Sequence, residues 1–130
     1  MLFFNKKKAE PKKPLGLYIH IPFCLSRCRY CDFASHAGIS PSLCEAYLSA
    51  LCREIDSLPS GELETVYFGG GTPSLLTEGE LFYILDAVSR RFRVKPHAEI
   101  TLECNPATAS PEKLSAFRSL GITRLSIGVQ

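Results

Sequence analysis

An α/β fold built on a parallel sheet is what the sequence predicts, and two observations carry the expectation. Short β-type runs alternate with stretches of helical periodicity from residue 15 onward, in the order β-α-β-α-β-α-β. The connections are also short enough to make successive strands parallel neighbours, joined by crossovers of the usual right-handed kind.

The first run, Leu-Gly-Leu-Tyr-Ile-His-Ile at residues 15–21, reads as a strand with Leu17, Ile19 and Ile21 on one face and Tyr18 and His20 on the other. A loop follows over residues 22–39. Ser40-Pro41 has the form of an N-cap with proline at the first helical position, and the helix it opens runs to about Leu58, where Pro59-Ser60-Gly61 stops it. Cys44 and Cys52 fall on the apolar side of that helix with Leu48, Leu51 and Ile55, and read as core residues. Leu63–Phe68 is the second strand, leading into a turn at Gly69-Gly70-Gly71-Thr72-Pro73. Thr77 and Glu80 make a capping box for a helix whose apolar stripe is Leu81, Leu85, Val88 and Phe92. The third strand is Ala98–Glu103, with His97 before it facing solvent and Cys104 after it in the packing. Ser110-Pro111 opens a third helix with Leu114, Phe117 and Leu120 buried and Gly121 at C′, and Ile122–Val129 forms the last strand. A closed β/α barrel needs roughly 200 residues or more, so four strands are expected to be part of one, continued beyond Gln130.

Composition narrows the functional classes. With 45% hydrophobic and 22% charged residues, the chain has the make-up of a core-forming protein. It holds no apolar run near the ~20 residues that span a bilayer and no secretory signal, so a cytoplasmic location is expected. Residues 1–14 carry five lysines against Glu10, a net +4 that leaves the rest at −2. With Pro11 and Pro14 they read as a disordered basic leader, which leaves room for a weak membrane contact but gives no basis for a nucleic-acid partner. The domain proper is expected over residues 15–130.

Six cysteines without a secretory signal argue against a disulfide scaffold. Cys24, Cys28 and Cys31 share the loop after the first strand, at the carboxyl end of the sheet, where α/β folds build their active sites. Three thiolates at this spacing can ligate three corners of a cubane iron-sulfur cluster and leave one iron open. Two alternatives stand beside it: a zinc site with His20 or His36 as fourth ligand, or reduced cysteines together by chance. The glycine run after the second strand either makes a plain tight turn or lets backbone groups approach a ligand; the lysine of a phosphate loop is missing. Glu103 can accept hydrogen bonds from ribose hydroxyls or be a solvated acid at a strand end. His20 and His36 remain open between structural, zinc-binding and heme-contacting roles.

Tyr18-Ile19-His20-Ile21-Pro22-Phe23 running into a C-x3-C-x2-C loop resembles the opening of the radical S-adenosylmethionine (SAM) superfamily, and the likeness extends from Leu15 to Gln130. The resemblance implies the N-terminal part, about four β/α units, of a radical SAM partial TIM barrel. It implies a [4Fe-4S] cluster on Cys24, Cys28 and Cys31 whose open iron binds the amino and carboxylate groups of SAM, with an electron from the cluster cleaving the sulfonium to a 5′-deoxyadenosyl radical. By position in the family motifs, Gly70, Gly71 and Thr72 belong to the glycine motif that meets the SAM amino group. Glu103, in Glu-Cys-Asn-Pro, and Gln130 are further SAM contacts, while Tyr18 lies beside the methionine moiety and Tyr30 against adenine. Core packing is the other reading of Tyr18.

Within the superfamily the likeness is to the branch that holds the oxygen-independent coproporphyrinogen III oxidases and the HemW-like heme chaperones. The oxidases carry a further cysteine two residues past the third cluster ligand, where this chain has Phe33, and a longer N-terminal extension, where only fourteen residues precede the first strand here. Both departures point to the chaperone side: heme binding and transfer to an acceptor protein, rather than decarboxylation of a porphyrinogen. An electron donor such as a flavodoxin or ferredoxin is implied for either.

Overall fold

Alternating apolar side chains along four segments give four parallel strands in the computed structural model, which describes residues 13–24, 36–37 and 40–128. In chain order the elements are β1 (Leu15–Ile21), β2 (Phe23–Cys24), β3 (His36–Ala37), α1 (Pro41–Ser57), β4 (Glu62–Gly70), α2 (Glu78–Arg91), β5 (Arg93–Cys104), α3 (Pro111–Leu120) and β6 (Arg124–Ile127). Two 3-10 turns lie at Pro73–Leu75 and Pro106–Thr108. The main sheet has the order β1-β4-β5-β6, all parallel, so each crossover carries one helix. A second, parallel pair joins β2 to β3 through Phe23 opposite His36 and Cys24 opposite Ala37; it lies within the stretch read from sequence as loop.

The helices cover one face of the sheet. Ile19 and Ile21 of β1, Val66 and Phe68 of β4, and Leu102 and Cys104 of β5 pack against Cys44, Leu48, Cys52 and Ile55 of α1 and Leu81, Ile84 and Val88 of α2. The caps follow the sequence reading. Ser40 Oγ accepts from Leu43 N at 3.1 Å, Ser110 Oγ from Lys113 N at 3.1 Å, and Gly121 closes α3 at φ +116°. Thr77 and Glu80 form the reciprocal capping box, at 3.1 Å and 2.8 Å.

Several boundaries differ for physical reasons. In α2 the half-buried Leu85 gives way to Ile84 and Ala87, because the helix packs between α1 and α3 and buries the 81-84-88 row. β4 continues through Gly69 and Gly70, which pair with His20 and Ile21, so the turn starts only at Gly71. β5 begins at Arg93, not Ala98, and His97 is exposed within it. Arg93 and Val94 pair with Glu62 and Leu63, then the register slips so that Thr65 meets Glu99. Residues 95–98 are thereby set aside from the ladder, where the missing N–H of Pro96 costs no hydrogen bond. Lys95 turns back from this bulge to Glu64 at 2.5 Å and Glu62 at 3.5 Å. β6 is shorter than expected, spanning Arg124–Ile127.

Cys44 and Cys52 are buried, as read from the sequence. The Cys44 thiol donates to Glu80 Oε1 at 3.5 Å, and burial, followed by the charge of that carboxylate, pushes it up to about 11. Because the folded state holds the proton above the ordinary thiol value of 9.0, this contribution is complete below pH 9 and lost as pH rises through about 11. Replacing Cys44 by alanine should therefore flatten the fall of stability across that window, as read from urea unfolding midpoints at several pH values. Thr77→Ala, which breaks the capping box, should lower the unfolding free energy by about 1 kcal/mol in the same assay at pH 7.

Candidate functional site

The ends of β1 and β4 meet more closely than side chains would allow. Past Ile21 the chain enters β2, where Phe23 and Cys24 are buried. The Phe23 ring sits edge-on to Tyr47, with centroids 5.3 Å apart, and the Tyr47 hydroxyl donates to the His20 carbonyl. From the other side, Gly71 N–H donates to Ile21 O at 2.7 Å and Thr72 N–H to Phe23 O at 2.6 Å. A Cβ on Gly71 would lie 2.5 Å from Phe23 O and 2.9 Å from Cys24 Sγ, and Gly70 has φ +109° with the His20 ring 2.7 Å from where its Cβ would be. Glycine is required at both positions so that the arm bearing Cys24 can be laced to the end of β4. The N–H groups of Gly71 and Thr72 are thus engaged by this arm and the Thr72 carbonyl accepts from Leu75 N at 2.9 Å, which leaves the Gly71 carbonyl and the Thr72 hydroxyl for any ligand.

The loops after β4 and β5 are tied together in turn. Ser74 is fully buried; its Oγ accepts from Asn105 N at 3.0 Å and lies 2.5 Å from Thr108 Oγ1. Asn105 Oδ1 caps the following turn by accepting from Ala107 N at 3.0 Å. Between these loops and β6 opens a cleft of about 270 Å³ lined by Gly71, Thr72, Glu103, Asn105, Ser126 and Gly128.

Below the cleft, the sheet face turned away from the helices is polar. Tyr67 Oη donates to Glu103 Oε1 at 2.8 Å, and its ring stacks on Tyr18 at 6.0 Å and 18°. Tyr18 Oη is 3.2 Å from His20 Nδ1. The hydrogen bond to Glu103, followed by burial, raises the Tyr67 phenol above its ordinary value. Burial, followed by the Glu103 charge, raises that of Tyr18.

Gly71, Thr72 and Glu103 thus share one cleft, with Cys24 and Gly70 beside it and Tyr18 on the adjoining face. Tyr18 is 57% exposed, which overturns its core-packing reading. Cys28, Cys31, Tyr30, Gln130 and the His36 side chain lie outside the described residues. Among the described residues no group of three or more His, Cys, Asp or Glu side chains is placed to hold a metal ion. His20 stands at the root of the cysteine arm, bonded to Tyr18. Cys104 is packed in the core and His97 is exposed, both as expected. Sequence reasoning missed Tyr67 and Ser74. Tyr67 could have been found by aligning the strands in parallel, which puts it opposite Tyr18; no sequence signal singles out Ser74.

A parallel sheet with a cysteine arm after its first strand, glycines closing the next and an acid closing the third defines a class of protein. Residues 18–130 match the Radical SAM superfamily, and the chain belongs to it. An iron-sulfur cluster and SAM are the cofactors that go with this superfamily in general. Among its relatives, the chain is 42% identical over 129 residues to the heme chaperone HemW of Mycobacterium tuberculosis (strain ATCC 25618 / H37Rv), covering 92% of this chain and 32% of that one. It is 40% identical over 121 residues to the heme chaperone HemW of Escherichia coli (strain K12), covering 90% and 32%. A solved structure of coproporphyrinogen III oxidase (HemN) from Escherichia coli, a radical SAM enzyme, superimposes with a TM-score of 0.84 at 31% identity, over 90% of this chain and 28% of that one. The chain spans about a third of the length of the HemW relatives. No helix among the described residues is long and apolar enough to cross a membrane.

Gly71→Ala should force Phe23 and Cys24 away from β4. We expect a loss of about 1–3 kcal/mol in urea unfolding together with faster alkylation of Cys24, read by mass spectrometry of labelled peptides.

Proposed function

We propose that this chain is the cluster- and SAM-binding part of a HemW-like heme chaperone, which hands heme to an acceptor protein. The observation that carries the reading is the lacing of the Cys24 arm to the glycine end of β4, beside a polar cleft closed on its far side by Glu103. The residues present fit the two cofactors. Cys24 supplies a soft sulfur donor of the kind iron-sulfur clusters take, and a cleft of carbonyl, hydroxyl and carboxylate groups suits a zwitterionic nucleoside.

In this reading Cys24, Cys28 and Cys31 hold a [4Fe-4S] cluster. Gly70, Gly71, Thr72, Glu103, Tyr18, Tyr30 and Gln130 hold SAM. The bound pair supplies one-electron reductive cleavage of the sulfonium, with a flavodoxin or ferredoxin as electron donor. The chain's own part is positional: the glycine end of β4 sets the distance from the cysteine arm to the cleft, Glu103 offers its carboxylate to hydroxyl donors, and the Tyr18 ring lines the adjoining face. A chaperone of this kind would work in the cytoplasm.

A second reading, oxygen-independent coproporphyrinogen III oxidation, is favoured by the structural likeness to HemN. Phe33, at the position where the oxidases resembled by this chain carry a further cysteine, weighs against it.

The test is anaerobic iron-sulfur reconstitution followed by electron paramagnetic resonance with and without SAM. The expected result is a reduced [4Fe-4S] signal that changes on adding SAM and is abolished in Cys24→Ala, with heme bound by the protein and no SAM-dependent release of CO₂ from coproporphyrinogen III. A colourless preparation holding one zinc would overturn both readings, and CO₂ release would select the oxidase.

A further inference from the structure

We infer that Tyr67 is a positioning residue for Glu103, holding one carboxylate oxygen so that the other is presented to the ribose hydroxyls of SAM. The inference rests on the reading of Glu103 as a SAM contact proposed above.

The argument begins with register. Phe68 pairs with Leu102, so the β4 residue level with Glu103 is Gly69, which has no side chain to support the carboxylate. Tyr67 lies one step lower, opposite Thr101. Its ring can lean up past that level only because position 69 is glycine: a Cβ there would lie 2.9 Å from Tyr67 Cε1 and 2.9 Å from Tyr18 Cε2. The hydroxyl then reaches Glu103 Oε1 at 2.8 Å. Among the described residues it is the one side-chain hydrogen-bond partner of that carboxylate. Tyr18, stacked at 6.0 Å on the opposite side, fixes the plane of the ring, and Tyr18 is itself held to His20 Nδ1 at 3.2 Å.

Glu103 is therefore held through one oxygen. A free glutamate samples several rotamers, and a diol that needs a carboxylate in one orientation must first select it; a donor on Oε1 makes that selection before the ligand arrives. Oε1 is engaged with the phenol, so Oε2 is the oxygen with full acceptor capacity. Ser126, the register partner of Glu103 on β6, is part of the cleft wall, and its hydroxyl lies within hydrogen-bonding reach of the Tyr67 phenol, so that the phenol is steadied from β6 as well. Methionine, which shares the amino and carboxylate groups of SAM but has no ribose, does not call on this oxygen.

Binding of SAM and of methionine to the full-length, cluster-loaded protein should be compared by calorimetric titration for wild type, Tyr67→Phe, Glu103→Gln and the double variant. Tyr67→Phe keeps the ring and its stacking, and should weaken SAM by roughly tenfold, the usual size for losing one hydrogen bond to a charged group. It should leave methionine unchanged and have no further effect on SAM in the Glu103→Gln background. Tyr67→His, which keeps a ring with an N–H donor, should recover part of the loss and serves as the comparison if the phenylalanine variant does not fold. Wild-type affinity in Tyr67→Phe, an equal loss for methionine, or losses that simply add to those of Glu103→Gln would overturn the inference while leaving Glu103 a ligand contact. No change of SAM affinity in Glu103→Gln would instead overturn the reading of Glu103 on which the inference depends.

Discussion

The site is arranged around a close approach of two backbones, at Gly71 and Phe23. Two hydrogen bonds, from Gly71 N to Ile21 O and from Thr72 N to Phe23 O, carry the pairing of β1 and β4 beyond the end of the sheet. A side chain on Gly71 would have to occupy the space of the Phe23 carbonyl and the Cys24 sulfur. The glycine run that in sequence could serve a ligand directly therefore does something prior to that: it brings the cysteine arm to a fixed place beside the cleft. The apolar side of the arm is secured independently by Phe23 against Tyr47, so that Cys24 is buried rather than carried on a free loop.

The two faces of the sheet divide the work. Toward the helices, apolar residues from β1, β4 and β5 and from all three α-helices form one core, which supplies the rigidity that a positioned site requires. Away from the helices, Tyr18, His20, Tyr67 and Glu103 form hydrogen-bonded and stacked pairs that reach across three strands. The charged cluster of Lys95, Glu62 and Glu64 lies at the opposite end of the strands from the cleft, where parallel α/β folds place residues that serve stability rather than chemistry.

The elements legible in the sequence were those with local chemical signals. Ser40-Pro41, Thr77 with Glu80, and Ser110-Pro111 announce their helices because an N-cap is a side-chain-to-backbone bond made within three residues. The parallel order followed from alternation and connection length. What escaped was set by pairing between distant residues: the start of β5, where Arg-Val-Lys-Pro-His has no strand pattern of its own and is held by its pairing with residues 61–64, and the brief contact of β2 with β3. The same division holds at the site. Cys24, the glycines and Glu103 were legible as motifs, and the structure brings Gly71, Thr72 and Glu103 to one cleft. Tyr67 resembles any strand aromatic until the register sets it beneath Glu103. Ser74 resembles any loop serine until the fold closes over it. For Tyr18, read first as a ligand-facing aromatic, the alternative of core packing fell because alternation assigns a face but cannot say which face the helices cover.

Ser74 has a consequence for how the cleft behaves in time. With its hydroxyl bonded into the turn after β5 while its backbone belongs to the turn after β4, the two loops form one mechanical body. Neither can swing alone without stripping a buried polar group of its partner, so the gap between them keeps the spacing of the strands beneath. A molecule entering between Thr72 and Asn105 would meet walls already at their final separation, and its arrival on that side would be a matter of diffusion and desolvation rather than of waiting for a lid to shut.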